Sequence, residues 1–545
     1  MADFTQFQAL FGDIHNHCGI SYAHGTLQDA LENAALRLDF TSVTGHAAWP
    51  DMPVDDERVA HIVDFHVKGF ARLQEGWDSY QEEIAAFENQ RGLIVFPGYE
   101  IHSNDHGDYT VMGYRHELPL LTADTPMELQ RVLSESIPPT DIDSAGRVLP
   151  GTLTFPHHIG YRIGARGGNW ESFTEELSPI VEIASMHGLA EADRTDHPFL
   201  HSMGPLQHRG TMWEGLEQGH RFGVLGNTDH HSAHPGSYGH GITGIWATDR
   251  SRAAVWEALY ARRTWANTGD SVSLWHSVND VPLGGEVSRE DRYRHWIEID
   301  SPSAIDYVEL VDSGGRTMVW WRPPQPSESR QAPTPQHVHE TAGTDTPGNA
   351  ATDAHAPGPH PPDTEAIVHI DLGWGERGKR YDWDGTVEVS GSELQDVVPR
   401  FRGQEVVSPL DASDNQVPLH NASWSRSSDH SVAFQCTTWG NMTNTTPSTQ
   451  GFDLRVSDAS NARIRFRTGD IDREYAVADL IRGSESGNLG PIDSPAFRLS
   501  ADSRPACTWS ITWDEDHPRP GNRWYYVRVR LKNGHWSISS PVFVG

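Results

Sequence analysis

The sequence predicts an α/β domain over its first half and an all-β domain over the rest. Three observations carry that division. Short apolar runs alternate with amphipathic stretches from residue 10 to about 270. From about 273 the texture changes to alternating β-branched and aromatic runs. At 545 residues, the chain exceeds what a single core usually holds. The expected domains are 1–272 and 273–545.

In the first domain, apolar runs at 10–14, 40–43, 93–96, 109–112, 153–155, 180–183 and 222–225 read as strands, and stretches near 27–37, 79–89, 126–134 and 252–262 as helices. Repeated β/α alternation argues for a parallel arrangement. In the second domain, HWIEID, IDYVELVDS, TMVWW, AIVHIDL, ARIRFRT and WYYVRVRL are separated by Gly, Asn and Asp turns, the pattern of a sandwich. Residues 323–365, rich in Pro, Thr, Ala and His and almost without large apolar side chains, read as a disordered insertion between its strands. Trp320, Trp321 and Trp524 fit the core of this domain.

Composition narrows the partners. A formal net charge of −33, from 75 acidic and 42 basic side chains, repels phosphate backbones and anionic lipid surfaces, which disfavours nucleic acid. Cys18, Cys436 and Cys507 are far apart and form no CxxC pair, so neither a disulfide framework nor a thiolate zinc site is indicated. The N-terminal segment has neither the basic start nor the apolar run of a signal peptide, and no stretch reaches the roughly 18 apolar residues of a membrane helix. The expectation is a cytoplasmic protein without a membrane segment.

The chemistry sits at the predicted strand ends. His15 and His17 follow the first strand, His46 the second, Glu100 the third, His157 and His158 a later one, and Asp229 and His231 the last. In α/β barrels such ends converge on one face. Side chains at i and i+2 of a strand point the same way, so HNH at 15–17 and DHH at 229–231 can each aim two ligands at one ion. With 31 histidines, roughly two His-x-His triplets arise by chance. The chain has two, the other being His337-Val-His339 in the insertion, so position rather than spacing carries the argument.

GDIHNHC, LDFTSVTGH, FPGYE, TFPHHIGY and GNTDHH stand in the order of five elements of the PHP (polymerase and histidinol phosphatase) superfamily. These are an HxH, a T-D-H-like element, a P-G-x-E element, a later His and a terminal D-x-H. The chain resembles that superfamily over about residues 10–270, and its second half resembles the β-rich extension of one PHP subgroup. The resemblance implies a distorted (β/α)7 barrel holding two or three divalent ions (Zn2+, Mn2+ or Fe2+) at its C-terminal face. The implied ligands are His15, His17, His24, His46, Glu100, Asp108, His157, Asp229 and His231, with Glu100 bridging the ions.

Some positions depart from the family pattern. His24 stands where the family often has Asp, and Gly45 replaces the Asp that usually precedes the second-motif histidine. Alignment on the glycine of HGDYTVMGY favours Asp108 over His106. Alignment likewise favours His157, with His158 as fallback, since neighbouring strand residues point oppositely. Glu182 and His187 are candidates for supporting or substrate contacts, as are Arg162 and His234 for an anionic substrate, while His61, His66 and His102 read as structural or exposed.

The expected activity is hydrolysis of a phosphoester of a small anionic substrate by a metal-bound hydroxide, with His231 or His158 protonating the leaving oxygen. The alternatives are hydrolysis of a C–O or C–N bond and a metal-stabilised binding protein without turnover. No P-loop, GxGxxG or Gly-x-Ser-x-Gly element supports nucleotide-motor, dinucleotide or serine-hydrolase chemistry.

Overall fold

The computed structural model describes residues 4–140, 146–201, 203–314, 316–322, 336–337, 364–405, 422–442 and 448–545, and these form mostly β-sheet with few helices. The first half contains β1 (Gln8–Asn16), α1 (Leu27–Ala34), β2 (Phe40–Ala48), α2 (Ala60–Arg91), β3 (Ile94–Val95), β4 (Gly98–Ile101), β5 (Tyr109–Gly113), α3 (Pro126–Ser136) and β6 (Thr152–Pro156). It continues with β7 (Ile180–Ser185), β8 (Gly188–Leu189), α4 (Met212–Glu217), β9 (Gly223–Gly226), β10 (Ile242–Ala247), α5 (Arg252–Tyr260) and β11 (Thr264–Asn267).

Local chemistry sets the helix ends. Thr26 caps α1 in a reciprocal capping box with Asp29, and Thr125 caps α3 just before Pro126. Gly92, in the left-handed region at φ 73°, ends α2. That helix starts well before the predicted 79–89 because its inner face continues through His66, Gly69 and Leu73, residue types that blur the apolar period. No helix among the described residues is long and apolar enough to cross a membrane.

The strands do not form the uniformly parallel sheet that the alternation predicts. β1 runs parallel to β2, β2 to β3 and β4, and β7 to β9. However, β4–β5, β5–β6, β1–β10 and β10–β11 are antiparallel. The β4–β5 connection is only residues 102–108, too short for the crossover of a dozen or more residues that a parallel pair needs. This reversal matters for the site. Because β5 runs backwards, its first residue pairs with the last residues of β4 and β6 (Tyr109 with Ile101 and Pro156), so Asp108 lies at the same end as Glu100 and His157.

The second half holds two layered β units where the pattern predicts one sandwich. Ser273–Val278, Tyr293–Asp300 and Thr508–Glu515 form one layer, and Ile305–Asp312, Arg316–Trp321 and Trp524–Leu531 another. Leu274, Ile297, Leu310, Trp321 and Val527 contribute to the core they share. Nested in sequence between these strands, two five-stranded sheets within 366–503 enclose Val368, Trp383, Phe434, Phe452 and Phe466. The chain leaves and re-enters the outer unit, which periodicity cannot register. Trp536–Ser539 pairs with β11 and ties the C-terminal strands to the first half. Most of 323–365 lies outside the described residues; within it, Gln336–His337 pairs with the Arg316–Trp321 strand.

Inside the nested unit, His369 lies opposite Asp453 on the neighbouring strand, with Nδ1 2.8 Å from Asp453 and Nε2 3.3 Å from Asp502. Burial opposes its charge, but these carboxylates outweigh burial and push its pKa up to about 10. The folded-state pKa is raised, so this stabilisation is fully present below pH 6.5 and is lost as pH rises through about 10. His369→Asn is therefore expected to cost roughly 2 kcal/mol at pH 6 and much less at pH 10.5, read as the difference in denaturation midpoints from the wild type at each pH.

Candidate metal centre

Backbone pairing gathers the polar residues at one end of the β1–β2–β4–β5–β6 ladder. His15 lies near the C-terminal end of β1, and His46 on β2 sits directly opposite Glu100 on β4. The loop after β9 is stitched to the end of β1: the Asp229 N–H donates to the His15 carbonyl at 2.8 Å and the His17 N–H to the His230 carbonyl at 2.8 Å. Asp13, fully buried in β1, clamps the same loop. Its carboxylate accepts from the Thr228 hydroxyl at 2.5 Å, the Thr228 N–H at 3.1 Å and the Gly236 N–H at 2.9 Å.

Glu100 lies at the middle of the resulting cluster. Its Oε2 is 3.3 Å from Nε2 of both His15 and His17 and 3.5 Å from Nε2 of His46. Its Oε1 is 3.4 Å from His157 Nε2 and 3.3 Å from His102 Nδ1. Asp229 Oδ1 is 3.0 Å from His17 and 3.4 Å from His15, while Oδ2 is 2.8 Å from His187 Nε2. Among the described residues, five overlapping sets are close enough to hold an ion: His17/His46/His231, Glu100/Asp108/His157/His158, His15/His157/Glu182, His15/His17/Asp229 and His46/Glu100/His102.

Supporting groups fix the direction in which the rings present their lone pairs. A carbonyl or carboxylate can only accept, so Nδ1–H of His17 donates to the Thr44 carbonyl and Nδ1–H of His231 to the Asp229 carbonyl. Likewise Nδ1–H of His15 donates to Glu182 at 2.8 Å. In the neutral ring each then carries its lone pair on Nε2, which in His15 and His17 faces into the cluster. His15 and His17 Nε2 are 3.2 Å apart and face two carboxylates. Lone pairs facing carboxylates repel unless a cation lies among them, and both ring nitrogens of His157 are buried without a hydrogen-bond partner. The donor set therefore fits divalent ions with nitrogen and oxygen preference.

The electrostatics agree. Burial pushes the Glu100 and Asp229 carboxyls up, but surrounding imidazoles, first His157 for Glu100 and first His15 for Asp229, outweigh it and hold both well below the usual carboxylate range. Burial, reinforced by neighbouring imidazoles, drives His46, His157 and His231 well below the usual histidine range. His15 moves the other way. Burial opposes its charge, but Asp229 and Glu182 win, so the carboxylates around it call for positive charge.

Of the residues singled out from the sequence, His15, His17, His46, Glu100, Asp108, His157, His158, Asp229 and His231 all fall in these sets, as do Glu182 and, through Asp229, His187. His24 is buried beside them, its N–H donating to the His231 carbonyl at 3.0 Å, and belongs to none of the sets. His106 turns aside to the Ser172 hydroxyl at 2.7 Å. The expectation that only one of His157 and His158 can face the site is corrected. β6 ends at Pro156 and His158 has φ 29°, so the chain leaves the pleat and both rings reach in, with centroids 4.4 Å apart.

His102, read from the sequence as structural or exposed, is buried in the cluster between Asp108 (2.8 Å) and the Tyr22 hydroxyl (2.8 Å). Its i+2 spacing from Glu100 was the available signal. Arg162 is exposed, whereas Arg166, which no spacing marks, enters the site, and His234 faces His230. Gly45 has a packing reason for lacking a side chain: a Cβ there would lie 2.4 Å from Leu73 Cδ1 in the α2 core. Gly45→Asp is expected to destabilise the protein by about 2–3 kcal/mol, measured by urea denaturation.

No family model matches the chain. An uncharacterized protein of Chlamydia pneumoniae is 25% identical over 222 residues, which is 39% of this chain and 34% of that protein. An uncharacterized protein of Chlamydia trachomatis is 29% identical over 133 residues, 22% of this chain and 21% of that protein. The matched regions thus span about a third or less of these relatives' length. Among solved structures, a two-domain protein of Bacteroides vulgatus, described as containing a predicted PHP-like metal-dependent phosphoesterase, aligns over 62% of this chain and 85% of its own, at 15% identity and a TM-score of 0.30.

Proposed function

We propose that the protein is a PHP-type metal-dependent hydrolase acting on phosphoesters of a small anionic substrate. The observation that supports this most is the convergence of the inward lone pairs of His15 and His17 on the ionised Glu100 and Asp229. In this reading residues 1–272 are the hydrolase domain, a distorted member of the (β/α)7 PHP barrels, and 273–545 the β extension. His15, His17 and Asp229 would hold one ion and His46 and His231 a neighbouring one, with the Glu100 carboxylate supplying negative charge to both. Zn2+, Mn2+ or Fe2+ bound there would supply Lewis-acid activation of water and positive charge for the phosphoryl oxygens.

The chain's own groups do the rest. Glu182, Thr44 and Ser21 hold the rings of His15, His17 and His46. His231 commits its Nδ1–H to the Asp229 carbonyl and its Nε2 to the cluster, so it has no proton to give; this favours His158 as the donor to the leaving oxygen. His158 Nε2 is 3.3 Å from Asp108 and its Nδ1 has no hydrogen-bond partner.

The test is turnover of p-nitrophenyl phosphate and bis-p-nitrophenyl phosphate with added Mn2+ or Zn2+, beside p-nitrophenyl acetate and an anilide. Phosphoester turnover that EDTA abolishes and Mn2+ restores is the expected result. Turnover of the acetate or anilide alone would move the assignment to C–O or C–N hydrolysis. Bound metal with no turnover on any of them would leave a metal-stabilised binding protein.

A further inference from the structure

One end of the cluster already holds a cation of the chain's own. Arg166 donates through Nε to Asp108 Oδ2 at 2.7 Å, and its NH2 also reaches Asp108 and His102 and lies 3.7 Å from Glu100 Oε1. This is the same corner where Glu100, Asp108, His157 and His158 lie close enough together to hold an ion. A guanidinium fits such a place as a planar, permanently charged, multiply donating group.

The placement is built in rather than a stray reach of a surface arginine. Arg166 is a non-glycine residue in the left-handed region, φ 66°, inside the run Gly164 to Gly168. A Cβ at Gly167 would lie 1.9 Å from the Tyr161 carbonyl, and one at Gly107 would lie 2.9 Å from the Gly167 carbonyl. The arginine loop is therefore packed backbone to backbone against the residue preceding Asp108. The Gly164 N–H also donates to the Asn104 carbonyl at 3.0 Å, and the guanidinium lies 5.3 Å over the Trp49 ring.

We propose that Arg166 stands in for a divalent ion at the Asp108 corner, so that the loaded protein holds two ions rather than three and Asp108 serves as the counterion of Arg166 instead of a metal ligand. A cation and a guanidinium cannot share Asp108 Oδ2 without strong mutual repulsion in a buried site. This rests on the metal-cluster reading above and fails separately from it.

The experiment is Mn2+ per chain at saturation, by elemental analysis of the full-length protein after removal of free metal, for the wild type, Arg166→Met and Arg166→Lys. Thermal unfolding confirms that each variant is folded. Two ions in the wild type, three in Arg166→Met and two in Arg166→Lys are expected. Three in the wild type, or a folded Arg166→Met that stays at two, would overturn the proposal. If Arg166→Met does not fold, anomalous scattering from wild-type crystals grown with Mn2+ decides: a peak at coordinating distance from Asp108 overturns it, and peaks confined to the His15/His17/Asp229 and His46/His231 groups support it. A wild type that binds no Mn2+ would instead sink the metal-cluster reading itself.

Discussion

Glu100→Gln is expected to lower phosphoester turnover by about 10^3-fold or more, with loss of bound metal, while changing the fold little. The substitution keeps the shape of the side chain and removes one charge. That charge faces His15, His17 and His46 on one oxygen and His157 and His102 on the other. A neutral amide cannot offset the mutual repulsion of neighbouring cations, and its NH2 group would point hydrogens at ring nitrogens aimed inward as acceptors. Steady-state kinetics with metal analysis of the same preparation checks this. Turnover within tenfold of the wild type would remove Glu100 from the centre of the site.

Asp13→Ala is expected to have the largest effect on stability, roughly 3 kcal/mol or more, read from urea denaturation. The Asp13 carboxylate is buried and accepts from the Thr228 hydroxyl and from the N–H groups of Thr228 and Gly236. Alanine leaves those donors unpaired in the interior. It also frees the loop that carries Asp229 and His231, so metal affinity falls together with stability. Asp13→Asn, which keeps the acceptor oxygen, is expected to lose less. Equal losses in the two variants would mean that the volume of the side chain, not its hydrogen bonds, holds the loop.

Much of this site was legible in the sequence because its residues sit where apolar runs stop. His15, His46, His157 and Asp229 each follow or end a strand recognisable by composition, and i, i+2 spacing on an extended backbone predicts shared direction. What escaped depends on contacts between distant segments. The reversal of β5 that delivers Asp108 comes from the short 102–108 connection, which the sequence reading does not register because it places a strand at 93–96 and none at 98–101. His158 enters the site through one positive φ. Arg166 is brought in by glycine-to-glycine backbone packing, which leaves no periodic trace. In the second half, alternation identified strands correctly as strands but carries no information on partners, so one sandwich nested within another read as a single unit.

The most direct test of the central claim is the metal content of the purified wild type beside His15→Ala and Asp229→Ala, each confirmed folded by circular dichroism. His15 lies 3.3 Å from Glu100 and Asp229 lies 3.0 Å from His17, so both variants are predicted to lose bound metal together with phosphoester turnover. Metal bound at wild-type stoichiometry in both folded variants, or a wild type that takes up no divalent ion, would contradict the account.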